Sequence, residues 1–479
     1  MYGSVGEAHV ASSTHIDQRD PSQINAQYAE TPWERFNMAG FTAPGIDTVR
    51  VGIIGLGNRG PSHLRTLLQI ENVEIRALCD PYPDRIDKTL ALLENTDHTP
   101  ATYTGDDDAW KQLCEQGDID LVVVTSPFYL HAPMSIYAMK QGKHVASEVP
   151  AAGTLEECWE LVRTAEETRR NLMMLENYSY MPFQLRMINM ARKGFFGDVV
   201  HGDGAYNTSK VNNNFGKTMY ADMWWLHQYA ERRGNIYPTH GLGPIAQCMD
   251  INHGDRLDYL VSVESADFLM AQKANELAAS DYHFKPFENR EYRGNMNTTV
   301  IRTVGGKTIV LQHDATTPSP HNLIHGVYGT KGAALYDPAP PRVSKGEHKW
   351  VDEAEFKVLE EQYTPEIFRR MSELTMSSGH GGSDLLMMWH LIDCLRNGLP
   401  LDQDVYDAAS WSAIVPLSQW SVLNRSNSTD IPDFTAGAWE TNPQNMDIEL
   451  ENGGATTGIR LADKQTDDRL AKQWKRDHS

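Results

Sequence analysis

The chain has 479 residues, with 64 Asp and Glu against 43 Lys and Arg and a formal net charge of -21. That length exceeds a single core and implies two domains plus extensions, and such acidity argues against nucleic acid or an anionic membrane as a partner. The five cysteines are dispersed and form no C-x-x-C pair, which excludes a disulfide or zinc framework, and no apolar run reaches the roughly 18 residues that would span a bilayer.

Residues 1 to about 48, rich in Ser, Gln, Asp and Ala, read as an irregular arm. They lack the n-region, h-region and cleavage site of a signal peptide, so a soluble, cytoplasmic chain is expected. The apolar run Val51 to Ile54 then enters Gly55-Leu56-Gly57-Asn58-Arg59-Gly60. Helix-like Ser62 to Gln69 follows, and a second strand, Val73 to Leu78, ends on Cys79-Asp80. Gly55 permits the tight turn, Gly57 lets backbone approach a pyrophosphate, and Gly60 lets helix and strand pack closely. The pyrophosphate would sit at the helix N-terminus, where free N–H groups and the dipole favour an anion. Asp80 lies about 20 residues on, where a carboxylate accepts from both ribose hydroxyls. It would repel a 2′-phosphate, which predicts NAD rather than NADP, with Arg59 the one basic residue placed to offset it.

Strand and helix signals keep alternating. Helix-like Asp84 to Glu94 and Asp108 to Gln116 precede the buried-type strand Leu121 to Val124. Helix-like His131 to Gln141 leads to strand His144 to Ser147, and Thr154-Leu155-Glu156-Glu157 is a capping box opening a helix to about Arg169. Leu172 to Leu175 is the next apolar run. The order implies a Rossmann-type, doubly wound parallel sheet over 49–176, with ligand at the carboxyl ends of its strands. Beyond Asn177, helix-like Pro182 to Arg192 precedes strand signals at Val199 to Ala205, Leu260 to Phe268, Thr298 to Val304, Thr308 to His313 and Gly326 to Tyr328. Gly, Asn and Pro punctuate them, as in a large, mostly antiparallel sheet of an α+β domain over 177–445. Returning helices are expected at Leu385 to Arg396 and Tyr406 to Leu423, and a polar tail over 446–479.

Two loops of the first domain, Thr125 to His131 and Ser147 to Pro150, face the crevice, and Glu148 falls at its switch point. The second domain offers Tyr206, then Trp224-Trp225-Leu226-His227, then Tyr237-Pro238-Thr239-His240-Gly241, Pro320-His321-Asn322 and Gly379-His380-Gly381-Gly382-Ser383-Asp384. Aromatics bracketed by polar groups suit a sugar, whose C–H faces stack on rings while its hydroxyls need donors and acceptors. His240, in a Tyr/His/Gly/Pro loop, is the candidate for proton transfer; His227 and His380 read as structural or positioning, and Trp224-Trp225 serves equally as core. There is no H-E-x-x-H, no clustered carboxylate set and no G-x-S-x-G elbow, so no metal is expected.

The run VGIIGLGNRG, the Pro127-x-x-x-His131 loop and the Glu148-Val149-Pro150 loop resemble the Gfo/Idh/MocA oxidoreductase superfamily. Within it, MAGFTAP, EVPAAGTLEECW, MLENYSY, NMARKGFFGDVVHG, NIYPTHGLGP, MDINHGDRL, GHGGSD and DVYDAASW resemble glycoside hydrolase family 109, from about Met38 to Trp439. That resemblance implies an α-N-acetylgalactosaminidase-like enzyme that retains NAD and uses it in each turnover. Carried over by matched motif, the NAD contacts are Asn58, Arg59, Asp80, Phe128, Tyr129, Leu130, His131, Glu148, Val149 and Asn177. The substrate contacts are Tyr206 and the Tyr237-Pro238-Thr239-His240 stretch, with Trp225 and His321 at further pocket positions. It also implies a redox-assisted cleavage: oxidation at C3, proton loss at C2 with elimination, water addition and re-reduction. Tyr206 or His240 would transfer protons, with Tyr237 positioning, and a homo-oligomer, dimer or larger, is expected.

The chain departs from both patterns. Superfamily dehydrogenases carry a lysine where Val149 stands and often an acid at the position of Ile236, so a plain dehydrogenase is disfavoured. The hydrolase family typically has His at Thr208, Arg at Trp225 and Tyr at His321, so an altered sugar pocket is expected. The competing functions are an NAD(P)-dependent sugar or polyol dehydrogenase and a non-catalytic NAD-binding sensor.

Overall fold

The computed structural model describes residues 19–31, 33–375 and 382–453; His380 lies outside them. Six parallel strands, β1 (Val49–Ile54), β2 (Val73–Cys79), β3 (Ala101–Tyr103), β4 (Leu121–Val124), β5 (His144–Ser147) and β6 (Leu172–Met174), form the first sheet in the order β3-β2-β1-β4-β5-β6. Helices on both faces leave β4, β5 and β6 with every residue buried, which is why they read as unbroken apolar runs. The order reverses between β1 and β4, opening a crevice at their carboxyl ends. The expected capping box is present: the Thr154 side chain accepts from Glu157 N, and the Glu157 carboxylate accepts from Thr154 N at 3.0 Å.

The second sheet has eight strands, β7 (Val199–Asn207), β8 (Leu257–Glu264), β9 (Asn297–Thr303), β10 (Thr308–Asp314), β11 (His325–Gly329), β12 (Ala333–Tyr336), β13 (Arg342–Ser344) and β14 (Thr429–Asp430), in the order β13-β12-β11-β7-β10-β9-β8-β14. It is antiparallel except where β7 and β10 run parallel. The segment read as a Tyr/His/Gly/Pro loop is instead the start of a helix, Thr239–Cys248, packed on β7 with all ten residues buried. Gly241, Gly243 and Pro244 give it poor intrinsic propensity, and close packing overrides that. A Cβ on Gly204 of β7 would stand 2.2 Å from the Gly241 carbonyl oxygen, so only glycine permits the approach.

Other expectations need correction. The helix expected over Tyr406 to Leu423 is two, Val405–Ser412 and Ile414–Leu423, since Pro416 has no N–H to continue the ladder. Helices Trp224–Glu231, Met270–Ser280, Glu353–Tyr363 and Glu366–Thr375 had no counterpart in the pattern. The arm expected to be irregular contains a helix, Pro21–Glu30, that buries Ile24 and Tyr28, while residues 1–18 of it lie outside the described residues. Beyond it, Trp33 Nε1 and Arg35 Nε each donate at 2.8 Å to Glu166, whose side chain is fully buried, while Arg35 Nη2 donates to the Phe434 carbonyl and Tyr406 OH to Glu166 Oε1. The chain also packs on past 446, with Met446 and Ile448 buried. Among the described residues no helix is long and apolar enough to cross a membrane, and no group of His, Cys, Asp and Glu could hold a metal ion.

Candidate active site

The glycine loop between β1 and helix Arg59–Leu67 forms one wall of the crevice. Gly55 has φ +92°, and a Cβ there would meet Ser126 N at 2.7 Å; a Cβ on Gly60 would stand 2.0 Å from the Gly55 carbonyl oxygen. Both are therefore required by the protein's own packing. Gly57 differs: a Cβ there would meet only Arg85 Nη1, at 3.8 Å. The open space above it is what a pyrophosphate needs. Asn58 makes no side-chain cap and the first helical turn contains no acidic residue, which leaves the helix N-terminus to an anion. Asp80, at the end of β2, accepts from Leu56 N at 2.7 Å and Tyr82 N at 3.0 Å. A carboxylate has about four acceptor sites, so two amides leave it capacity for ribose hydroxyls. These residues fit NAD.

Arg59 does not lie beside Asp80. Its Nε donates to Glu148 Oε1 at 2.6 Å, and its Nη1 and Nη2 form a two-pronged pair with Asp384 at 3.1 Å each. Asn177 Nδ2 also donates to Asp384, at 2.8 Å, and His63 Nε2 contacts Glu148 Oε1 at 2.7 Å. Burial alone would raise the Glu148 carboxyl, but Arg59 and His63 hold it below the usual carboxylate range. The basic group next to Asp80 is Arg85, with Nη1 at 3.5 Å and its guanidinium over the Tyr82 ring. Asp80→Ala should lower the NAD content of the purified protein, measured as dinucleotide released on denaturation; preferential co-purification with NADP would overturn the cofactor preference.

The other predicted cofactor residues have two kinds of environment. Phe128 is buried against Trp225 and under Arg232, and Tyr129 meets the Trp224 ring at 6.3 Å. The His131 ring is buried between two loops, Nδ1 at 2.7 Å from the Pro150 carbonyl and Nε2 at 2.8 Å from that of Ser126. Leu130 packs on the core and Val149 is buried. His131 thus joins the β4 and β5 loops to each other.

Across the crevice the second domain gathers Tyr206, Tyr237, His240 and His321. Tyr206 is the penultimate residue of β7, and its ring lies 5.3 Å from both Tyr237 and His240 and 5.7 Å from His321. Tyr237 and His240 are brought together by the turn into helix Thr239–Cys248, while Thr239 is fully buried and Pro238 also packs inside. Burial, reinforced by neighbouring phenols and carboxylates, raises the Tyr206 and Tyr237 hydroxyls above their ordinary range, so both are neutral donors at neutral pH. Trp225 stacks on Trp224 at 4.4 Å and meets Tyr237 at 5.6 Å. His227 packs on Phe287.

One partner was not identified in the sequence. Glu176, fully buried just past β6, sets its Oε2 2.6 Å from His240 Nδ1. Its Oε1 accepts from Tyr178 N at 2.7 Å, and Gln403 bonds both its backbone N and O. The His240 carbonyl accepts from His325 Nε2 at 2.8 Å, and burial lowers His325 to about 4, keeping it neutral. A carboxylate at Nδ1 places the imidazole proton there and leaves Nε2 as the lone-pair nitrogen. Glu176 sits at the carboxyl end of a parallel strand, a position that could have marked it; Asp384 lay within the quoted GHGGSD run.

Residues 49–176 match the family model described as oxidoreductase family, NAD-binding Rossmann fold, and residues 180–441 match glycosyl hydrolase 109, C-terminal domain. A glycosyl hydrolase family 109 protein of Shewanella putrefaciens is 40% identical over 451 residues, covering 90% of this chain and 93% of that protein. An alpha-N-acetylgalactosaminidase of Shewanella oneidensis is 40% identical over 430 residues, covering 86% and 90%. Among solved structures, a levoglucosan dehydrogenase in complex with NADH superposes with a TM-score of 0.61 at 15% identity, over 81% of this chain and 100% of that one. An NAD binding oxidoreductase from Klebsiella pneumoniae gives 0.61 at 16%, over the same shares; both likenesses concern the fold.

Proposed function

The chain belongs to glycosyl hydrolase family 109, and from that premise we propose that it is an NAD-dependent glycosidase acting by transient oxidation of its sugar at C3. Bound NAD supplies a hydride acceptor for C3–H and returns the hydride at the end, so cleavage involves no net oxidation. The chain's residues hold the sugar and move protons. His240 Nε2, oriented by Glu176, takes the proton at C2, which a ketone at C3 acidifies. Tyr206 and Tyr237, kept as neutral phenols, hydrogen-bond the C3 oxygen and stabilise the charge that develops there when C2 is deprotonated. Tyr237 also lies within electrostatic reach of Glu148 and Arg59, which couples the two sides of the crevice. Val149, buried where dehydrogenases carry lysine, supplies no ammonium.

The observation that carries this reading is the buried Glu176–His240 pair, set among Tyr178, Tyr206 and Tyr237 opposite the glycine loop. The test is incubation with aryl glycosides, with NAD(H) content measured before and after. Aglycone release with retained cofactor and no net NADH supports the glycosidase; NADH accumulating with free sugars supports a dehydrogenase.

The sugar pocket departs from that of an α-N-acetylgalactosaminidase. Trp225 is enclosed by Phe128, Trp224, Tyr229 and Tyr237, which makes that wall aromatic rather than cationic. His321 sets an imidazole edge-on to Tyr206. A site that leaves substrate polar groups unpaired discriminates by orders of magnitude. In a panel of aryl glycosides, a sugar other than α-N-acetylgalactosaminide should give the highest kcat/KM; efficient turnover of the α-N-acetylgalactosaminide would refute the altered pocket.

A further inference from the structure

A single segment of the second domain, Met219 to Arg232, reaches four of the loops at the carboxyl ends of the first sheet, those after β1, β2, β4 and β5. At the glycine loop, Asn58 Nδ2 donates to the Met219 carbonyl at 3.3 Å. At the loop after β2, Tyr82 OH donates to Asp222 Oδ2 at 2.5 Å, two residues beyond Asp80. At the loop after β4, Phe128 packs against Trp224 at 6.0 Å and Trp225 at 5.4 Å, and Tyr129 packs on Trp224. At the loop after β5, Arg232 Nη1 donates to the Gly153 carbonyl at 2.8 Å while its guanidinium lies over the Phe128 ring.

Where this segment crosses the crevice mouth, two successive non-glycine residues are left-handed: Asp222 at φ 51° and Met223 at φ 49°. Such a conformation is unfavourable for each and persists only when surrounding contacts hold it. The Tyr82–Asp222 bond is one of the contacts that hold this backbone in place.

We propose that residues 219–232 form a strap that closes over bound NAD and must open for the cofactor to enter or leave. The proposal rests on the crevice being the NAD site. In a redox-neutral glycosidase the cofactor is regenerated within each turnover, so the strap can remain closed while glycoside and product exchange on the other side of Tyr237.

A gate makes a kinetic signature that a simple binding contact does not. The Tyr82–Asp222 bond stabilises the closed form with and without NAD, so its loss should speed both association and dissociation and leave the affinity nearly unchanged. The experiment strips NAD from the protein, reloads it, and follows both rates by NADH fluorescence, with excess NAD as chase for dissociation. Tyr82→Phe and Asp222→Asn should each raise both rates roughly 3- to 10-fold, the size of one charge-assisted hydrogen bond at a partly exposed site, with Kd changed less than about twofold. Both variants act on the same bond, Tyr82→Phe by removing the donor and Asp222→Asn by removing the acceptor's charge, so the double variant should be no faster than Tyr82→Phe alone. Asn tolerates the left-handed conformation, so the backbone is unchanged by the second variant. Hydrogen exchange gives a readout free of turnover: amides over 223–232 should exchange faster in either variant than in the unmodified chain, by a similar factor with and without NAD. Unchanged dissociation, or faster dissociation with unchanged association, overturns the strap. A chain that neither purifies with NAD nor takes it up defeats the cofactor site and the strap together.

Discussion

Cleavage carried out in D2O should place deuterium at C2 of the released sugar while C3 retains its original hydrogen. An ordinary glycosidase passes through an oxocarbenium-like state between two carboxyl groups and never breaks C2–H. Here the rings around Tyr206 are the imidazoles of His240, His313 and His321 and the phenol of Tyr237, and the carboxylate of Glu176 is fully buried and spent on His240. That set is suited to removing a proton from carbon next to a carbonyl rather than to protonating a glycosidic oxygen. The proton taken by His240 exchanges with solvent, and a deuteron returns to C2 when the product forms. The hydrogen at C3 never enters solvent. Because the leaving group departs by elimination, thioglycosides should also be cleaved. NMR of the product reads both positions, and cleaved sugar without deuterium at C2 would sink the redox pathway and reduce the cofactor to a structural role.

Removing the base should reduce kcat roughly 100- to 10,000-fold, the usual weight of one general base. His240→Ala removes it outright, and Glu176→Gln keeps the shape of the pair but withdraws the charge that orients Nδ1–H and stabilises the imidazolium. The two effects should be far from additive, since both act through one proton transfer. Tyr206→Phe should lower kcat without the loss of NAD that Asp80→Ala causes. NAD content measured beside kcat separates these cases: a Glu176→Gln chain with normal cofactor and normal kcat would show that the pair is only structural.

The first domain was legible because its signals are local. Gly55, Gly57, Gly60 and Asp80 carry their reasons within thirty residues of chain, and Thr154 and Glu157 write a helix start in four. The second domain's strands were legible where alternation was clean, as in β9 and β10. Helix Thr239–Cys248 was not, because its glycines serve contact with β7 rather than helix propensity, and that contact is written in Gly204, thirty-five residues upstream. Glu176, Arg85 and Asp384 escaped for a related reason. Each acts through a partner distant in sequence or across a strand–helix unit; Glu176 and Asp384 lie inside the MLENYSY and GHGGSD runs, but their partners His240 and Arg59 become visible only once the fold joins them. Arg59 shows the converse: its position in the motif suggested the ribose, whereas its charge is committed to Glu148 and Asp384.

The anchoring of Glu166 bears on the order in which the molecule can be assembled. Its carboxylate lies on the outer helix of the first domain, yet the groups that neutralise and bond it come from Trp33 and Arg35 before that domain and Tyr406 after it, and Arg35 is itself held by the Phe434 carbonyl. Likewise Met174 N of β6 donates to the Gln403 carbonyl. During synthesis at the ribosome, then, the amino-terminal half emerges with a carboxylate that has only part of its shell and a last strand without its backstop. Its final packing waits for Gln403, Tyr406 and Phe434, more than two hundred residues further on, so the two domains distinguished by architecture mature as one cooperative unit, closed by the return of the carboxyl-terminal helices.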